Sequence, residues 1–131
     1  MIVYPTSGYD SFVSVNDADT YFETRLHADD WLTADGEIAL MVAYRSLQEL
    51  DIFIDLTDAD ALQAIKLAQC EQALHEIRYD LDELQAQSVS LGGLVSVKLD
   101  RSNGEKPPRY SQRALAILKP YLRAPVISRI R

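Results

Sequence analysis

The sequence predicts a mainly α-helical fold: a small four-helix domain with a long central helix and a β-ribbon before the last helix. Apolar residues recur at three- and four-residue spacing through most of the chain, which is the period of a helix that buries one face. Residue types that cap helices, Ser14, Thr33, Thr57 and Ser111, stand before these segments. Over residues 88–99 the period changes to strict alternation, which is typical of a strand.

Length and composition indicate one domain. The chain has 131 residues, which is the size of a single folding unit. We expect residues 1–13 to form an extended arm. The sequence contains neither an apolar run long enough to span a membrane nor the basic and apolar segments of a signal peptide. Cys70 is the only cysteine, which excludes an intrachain disulfide and fits a reducing compartment.

The first helix is expected to run from Ser14 to about His27. Ser14 can cap it, and the acidic Asp17 three residues later comes close to a capping box. Its apolar positions repeat at helical spacing: Val15, Ala18, Phe22 and Arg25/Leu26. We expect residues 27–32 to add one further turn, with Trp31 packed inward.

The second and third helices carry the same signals. Thr33 is the expected cap of the second, whose apolar stripe comprises Leu40, Ala43, Tyr44, Leu47 and Leu50. The third follows Thr57 and is expected over about residues 58–85, without Gly or Pro, with an apolar seam of Leu67, Cys70, Leu74, Ile77, Leu81 and Leu84. At 1.5 Å per residue this helix would be roughly 40 Å long.

A β-ribbon is expected over residues 88–99. Its apolar residues stand at odd positions: Val89, Leu91, Val95, Val97 and Leu99. Gly92 and Gly93 mark either a two-residue hairpin turn or a bulge in one long strand. Residues 100–110 are a polar loop by composition. Ser111 then caps a last helix, which Pro120 ends or kinks.

The charge of the chain is divided between its two parts. Residues 1–87 hold eighteen acidic and four basic residues, a net charge of −14, whereas residues 88–131 hold two acids and nine bases, a net charge of +7. Opposite charges on separate surfaces orient association. We therefore expect unlike surfaces of neighbouring subunits to meet. The candidate cations for a ring interface or for nucleic acid are Lys98, Arg101, Lys106, Arg109 and Arg113.

Five short motifs occur in a distinctive order. The first helix carries Ser14-Val15 and Ala18-Asp19-x-Tyr21-Phe22-x-x-Arg25, and the second carries Ala43-x-Arg45-x-Leu47. The third helix contains Ala68-x-x-Glu71-Gln72-Ala73-Leu74. The ribbon contains Ser90-x-Gly92-Gly93-x-x-Ser96-Val97, and the last helix contains Ala114-x-x-x-Leu118-x-Pro120-Tyr121-Leu122.

This order, which covers most of residues 12–122, resembles the head-tail adaptor (connector, head-completion) proteins of tailed bacteriophages, often labelled DnaT-like single-stranded-DNA-binding proteins. The resemblance implies a helical bundle with a β-ribbon that forms a ring, typically twelvefold, beneath the portal protein. It also implies a tail-side connector or tail terminator as the second partner, genomic DNA passing non-specifically through the lumen, and no membrane. The expected location is the virion head-tail interface, after assembly in the bacterial host cytoplasm. Residues 51–60 are shorter than the linker usual in the family.

No pattern indicates a catalytic, metal or cofactor site, and we expect the protein not to be an enzyme. His27 lies beside Asp29 and Asp30, but a solvated polar turn explains these residues better than a metal site does. Glu71 and His75 are four residues apart and are interpreted as an ordinary helix pair. The acids of the first helix are most simply a solvated face, although in a ring some could line a negative channel: Asp17, Asp19 and Glu23.

Two further expectations concern the basic part of the chain. The alternative function is a single-stranded-DNA-binding replication accessory, in which the cations contact phosphates and Tyr110 stacks on a base. The C-terminal tail, residues 123–131, is both basic and apolar, and we expect it to dock in a groove of the next protein. Its docking residues would be Arg123, Val126, Ile127, Arg129, Ile130 and Arg131.

The alternating pattern of the ribbon yields a stability prediction. Val95→Asp should cost roughly 2–4 kcal/mol in stability or assembly, because it places an unpaired charge on the apolar face. Ser96→Asp, on the opposite face, should cost far less. Thermal unfolding and measurements of assembled mass would compare the two variants, and equal effects would contradict the strand assignment.

Overall fold

The helices of this protein pack around one long element. The computed structural model describes residues 1–79 and 108–122. Its elements are α1 (Val15–Glu23), α2 (Asp29–Leu32), α3 (Gly36–Gln48), α4 (Ala59–Tyr79), α5 (Gln112–Leu118) and a closing 3-10 turn (Lys119–Tyr121). The mainly α class is therefore confirmed. None of the helices in the described ranges combines the length and the apolar character that crossing a membrane requires.

The long central helix is confirmed in part. The 21-residue α4 packs against α2, α3 and α5, while the remainder of its expected length, residues 80–85, lies outside the described residues. The expected ribbon at 88–99 and the tail at 123–131 also lie outside them. Within the expected seam, Cys70 and Leu74 are buried and Ile77 packs against the core. Burial is not confined to the seam, however, because from Ala68 to Leu74 every residue is buried.

Two apolar clusters lie at opposite ends of α4. The cluster near its C-terminal end contains Val13, Phe22, Trp31, Leu40 and Leu74. The cluster near its N-terminal end contains Phe12, Leu47, Ile65, Ala114 and Leu118. The helix thus joins both halves of the core, and α3 also reaches both, with Leu40 in one cluster and Leu47 in the other.

The N-terminal segment folds back on itself. Within residues 1–13, for which the sequence predicts an extended arm, the Tyr4 amide donates to the Ser11 carbonyl at 2.9 Å and the Asp10 amide donates to the Ile2 carbonyl at 2.8 Å. Phe12, which follows, is buried. The segment is a closed loop whose end enters the core.

Helix α1 is shorter than expected. Ser14 caps it as predicted, accepting from the Asp17 amide at 3.1 Å, but the helix ends at Glu23 and not near His27. His27 has a φ of 61°, in the left-handed region, so the chain turns sharply before α2. Leu26, placed by its spacing on the apolar face, is 79% exposed.

Neighbouring acids replace two of the expected threonine caps. Asp35, and not Thr33, caps α3, because its carboxylate accepts from the Ile38 amide at 3.2 Å. At the start of α4, the Asp58 carboxylate accepts from the Asp60 amide at 3.0 Å. Threonine and aspartate both cap well, so sequence alone could not choose between adjacent candidates.

Helix α5 runs antiparallel to α4. Its cap, Ser111, is confirmed by a 3.1 Å bond from the Ala114 amide. At the end of the closing turn, Leu122 forms an antiparallel bridge with Ile52, and the Phe53 amide donates to the Tyr121 carbonyl at 2.7 Å. The described chain therefore ends beside the N-terminal end of α4.

Gly36, at the start of α3, provides space for the Trp31 indole. A Cβ atom at Gly36 would lie 2.7 Å from Cζ2 and 2.9 Å from Cη2 of Trp31. Alanine normally favours a helix over glycine by about 1 kcal/mol. The close approach reverses that preference here, because the buried ring would have to move.

We expect Gly36→Ala to destabilise the protein by about 1–3 kcal/mol, the usual cost of overpacking. Urea unfolding followed by tryptophan fluorescence would measure the loss and any shift of the indole. Gln112→Ala, at the exposed first position of α5, is the control and should change the free energy of unfolding by less than about 0.5 kcal/mol. A stabilised Gly36→Ala variant would contradict the packing of Trp31.

Candidate functional site

A buried carboxylate on α4 connects this helix to α1. The Glu71 side chain is 2% exposed and accepts two bonds from Arg25, at 2.8 Å from Nη2 to Oε1 and at 3.0 Å from Nε to Oε2. The Tyr21 hydroxyl donates to the same carboxylate. A bidentate pair of this kind stabilises both charges and also fixes the orientation of the two side chains.

These bonds determine the protonation of the site. Burial alone would raise the pKa of Glu71, but the bonds from Arg25 and Tyr21 outweigh it and hold the pKa below its usual value. Burial, and then the bond to Glu71, raises the pKa of Tyr21 to about 12. At neutral pH the site therefore contains a carboxylate, a guanidinium and a neutral phenol.

Two glutamines beside Glu71 connect α4 to the remaining segments. Gln69, which is fully buried, accepts from the Phe12 amide at 2.8 Å and donates to the Leu40 carbonyl at 2.8 Å. Gln72, also buried, accepts from the Ser111 amide at 2.8 Å. Each side chain satisfies backbone groups of another segment, so these contacts position the N-terminal loop, α3 and the start of α5.

Arg109 and Tyr110, two of the candidate nucleic-acid contacts, are engaged within the chain. Arg109 forms ion pairs of 3.2 Å with both Glu49 and Glu76. The Tyr110 hydroxyl donates to Glu49 at 2.8 Å, and the Arg109 guanidinium lies 5.5 Å from the centre of the tyrosine ring. These side chains attach the start of α5 to α3 and α4, a role that sequence analysis missed.

The other described candidate cation, Arg113, is exposed on α5. It borders a cleft of about 220 Å³ that Arg78, His75 and Tyr79 also line. Arg78 pairs with Asp30 at 3.3 Å. His75, expected to pair with Glu71, instead lies with Nε2 at 2.7 Å from the Pro108 carbonyl, because Arg25 and Tyr21 occupy the carboxylate.

A groove of about 710 Å³ opens between α1 and α2. Buried Phe22 and Trp31 form part of its lining, and Leu32, which is 80% exposed, stands beside them. Three exposed acids also line it: Asp19, Glu23 and Asp29. We name this feature the acidic groove.

Asp19 has a structural role in the acidic groove. Its carboxylate accepts from Trp31 Nε1 at 2.7 Å, so it is not merely part of a solvated face. The remaining acids of the groove carry no such bond to the indole. Trp31 is thereby fixed between the Gly36 backbone and the Asp19 carboxylate.

The other candidate site residues lie outside the described residues. They comprise three cations, six ribbon residues and six tail residues: Lys98, Arg101 and Lys106; Val89, Leu91, Gly92, Gly93, Val95 and Val97; Arg123, Val126, Ile127, Arg129, Ile130 and Arg131. Their roles stay predictions. In the described part of the chain, no three His, Cys, Asp or Glu side chains are grouped to hold a metal ion.

Sequence analysis also missed the Glu71–Arg25 pair and the acidic groove. One signal was available, because Arg25 is the first Lys or Arg of the chain and follows four acids. An isolated cation in an acidic region is a candidate for an internal pair. The groove had no comparable signal, since it depends on the sharp turn at His27.

Comparison of the chain with protein-family models, curated proteins and solved structures finds no match.

The buried pair yields a pH-dependent stability prediction. Arg25→Met should cost about 3 kcal/mol or more, because it leaves Glu71 as a buried charge without its cation. Arg25→Lys keeps the charge, loses the bidentate geometry and should cost less. Urea unfolding at pH 7 would rank the variants, and equal costs would contradict a charge-based role.

The two proteins should also respond to pH in opposite directions. In the wild type the folded-state pKa of Glu71 is lowered, so its contribution is present above the unfolded-state pKa and is lost as pH falls through the folded value. In Arg25→Met, burial raises that pKa, so the variant should regain stability relative to wild type as pH falls from about 7 to 5. A constant difference between the two proteins would contradict this assignment.

Proposed function

We propose that this protein is a structural subunit of a phage or prophage head-tail connector ring. It joins the portal to the tail-side connector or tail terminator and forms part of the passage for DNA. The ring belongs to the virion head-tail interface and is assembled in the bacterial host cytoplasm. The protein is not an enzyme and uses no cofactor.

The observation that carries the proposal is the set of contacts made by the motif residues. Tyr21 and Arg25, from the first motif, bind Glu71 from the third-helix motif. Asp19 binds Trp31, and Gln72 binds the start of α5. The first and third motifs thus meet in one buried contact, and this supports the resemblance on which the proposal rests.

The charge division supports assembly through unlike surfaces. Arg109 is paired within the chain, which leaves Lys98, Arg101, Lys106 and the exposed Arg113 as the candidates for the basic side of the contact. The acids of α1 and α2 would form the acidic side of the contact. A contact between two different patches closes into a ring when its rotation allows, and acids facing the lumen would let DNA slide without adhering.

The alternative function, a single-stranded-DNA-binding replication accessory, is favoured by the cleft beside Arg113. Three arginines, a histidine and a tyrosine line this cleft, and cations beside aromatic rings can hold a nucleic-acid strand. One of the arginines, Arg25, is already paired with Glu71. One observation disfavours it: the Tyr110 hydroxyl donates to Glu49 and Arg109 covers one face of the ring, so less of this side chain is available to stack on a base. The ring remains the better-supported function.

Light scattering of the protein, alone and with a portal protein, together with a single-stranded-DNA titration, would separate the two functions. A ring or portal complex without DNA binding supports the connector. Salt-sensitive DNA binding by a monomer or dimer supports the alternative.

Charge reversal of Lys98, Arg101 and Lys106 to Glu should weaken assembly, and so should added salt, because exposed charges are screened over about 10 Å at 0.1 M. Helical content and thermal unfolding should stay close to wild type. Arg109→Glu is the contrasting variant and should lower the melting temperature, since it opposes two acids within its own chain. Assembly that tolerates both reversal and salt would show that apolar contacts hold the interface.

A further inference from the structure

The acidic groove has the form of a docking site. Its lining combines buried aromatic surface from Phe22 and Trp31 with the charges of Glu23 and Asp29. Arg25 also borders the groove, but its guanidinium is paired with Glu71. Leu32 extends the apolar surface outward, with 80% of its area exposed. A large exposed leucine beside an aromatic-lined groove marks a surface that gains stability when a partner covers it. The matching ligand is therefore a segment that is both apolar and cationic.

The C-terminal tail of the chain has this composition. Residues 123–131 contain three arginines, no acid, and the apolar residues Val126, Ile127 and Ile130. Apolar side chains could cover the aromatic lining while the guanidinium groups approach the acids. Arginine is the cation best suited to such a site, because it pairs with carboxylates and stacks on aromatic rings.

The groove and the origin of the tail lie at opposite ends of α4. The pair between Asp30 and Arg78 places α2 beside the last turn of α4, whereas Leu122 bridges to Ile52 and packs in the cluster that contains Ile65, in the second turn. From Ile65 to Arg78 the helix rises roughly 20 Å at 1.5 Å per residue.

A tail that turned back to the groove of its own chain would keep only a short segment for binding. Nine extended residues reach roughly 30 Å, so a tail that followed α4 back to the groove would use about two thirds of its length on the way. The groove of an adjacent copy imposes no such limit. The separation therefore favours an intermolecular contact, in which each chain offers a groove at one end and a tail at the other.

We propose that the acidic groove between α1 and α2 binds the C-terminal tail, residues 123–131, of a second copy of this chain. Because groove and tail are different surfaces, the contact is head-to-tail and propagates from copy to copy, closing into a ring when its rotation allows. This proposal rests on the proposed function, because a ring needs a contact between neighbouring subunits. The acidic groove and the tail are two surfaces that would form such a contact. The tail expected to dock on the next protein thus docks on the next subunit.

Charge exchange on full-length protein tests this contact. One variant reverses the groove with Glu23→Lys and Asp29→Lys, and the other reverses the tail with Arg123→Glu, Arg129→Glu and Arg131→Glu. Glu23 closes α1, where a lysine suits the helix dipole, so folding should be retained. Asp60→Lys, at an exposed acid in the first turn of α4, is the matched control for Asp29→Lys, because Asp29 also lies in the first turn of its helix.

Sedimentation velocity would measure association, and fluorescence of Trp31, the single tryptophan, would report occupation of the groove. We expect each reversed variant to associate at least tenfold more weakly than wild type. Several exposed pairs, each worth up to about 1 kcal/mol, are lost or turned repulsive in each variant, and 1.4 kcal/mol corresponds to a factor of ten. Asp60→Lys should associate as wild type does.

Mixing the two reversed variants should restore association. The wild-type tail of one then meets the wild-type groove of the other, and the reversed tail meets the reversed groove. The Trp31 signal should change with protein concentration in the wild type and in the mixture, and in neither variant alone. Recovery on mixing would show that both variants are folded, because an unfolded variant could not regain association.

Three results would overturn the contact. A Trp31 signal that depends on the tail but not on concentration would place the tail in its own groove. Self-association unchanged by tail reversal, with portal attachment lost, would identify the portal as the tail's partner. Self-association unchanged by groove reversal would exclude the groove, although the connector function would stand if a ring still formed. If the charge exchange succeeds but neither a ring nor a portal complex forms, the tail contact stands and the connector function fails.

Discussion

The buried polar side chains of α4 are the constraint on which the rest of the structure depends. Gln69, Glu71 and Gln72 lie where the helix is enclosed on all sides, and a buried polar group without a partner costs about 1–3 kcal/mol, or more if charged. Each side chain can therefore be buried only if a particular segment is in place. Gln69 requires the N-terminal loop and α3, Glu71 requires α1, and Gln72 requires the start of α5.

This arrangement also determines which charges are available to partners. Glu71, Glu49 and Glu76 neutralise arginines of their own chain, and Asp19 holds the indole of Trp31. Glu23 and Asp29 instead remain exposed in the acidic groove. The acids of the described residues thus fall into two groups, those that pair with groups of their own chain and those that face outward.

The ring proposed above would require each subunit to have two structurally distinct ends. The ties along α4 make the ends of the molecule structurally distinct, with α2 at one end and the exit of the chain at Leu122 at the other. Weak contacts between such unlike ends gain strength when many act together in a closed assembly. Such a design would let subunits remain separate until a partner organises them.

The sequence by itself determined the helical class, the caps at Ser14 and Ser111, the inward position of Trp31 and the stop near Pro120, because these depend on local spacing and capping chemistry. Only the tertiary structure decided that Glu71 binds Arg25 and not His75, that Arg109 and Tyr110 bind Glu49, and that a groove forms between α1 and α2. These contacts join residues tens of positions apart. Their partners depend on how the helices cross and on the left-handed turn at His27, and one-dimensional periodicity contains no information about either.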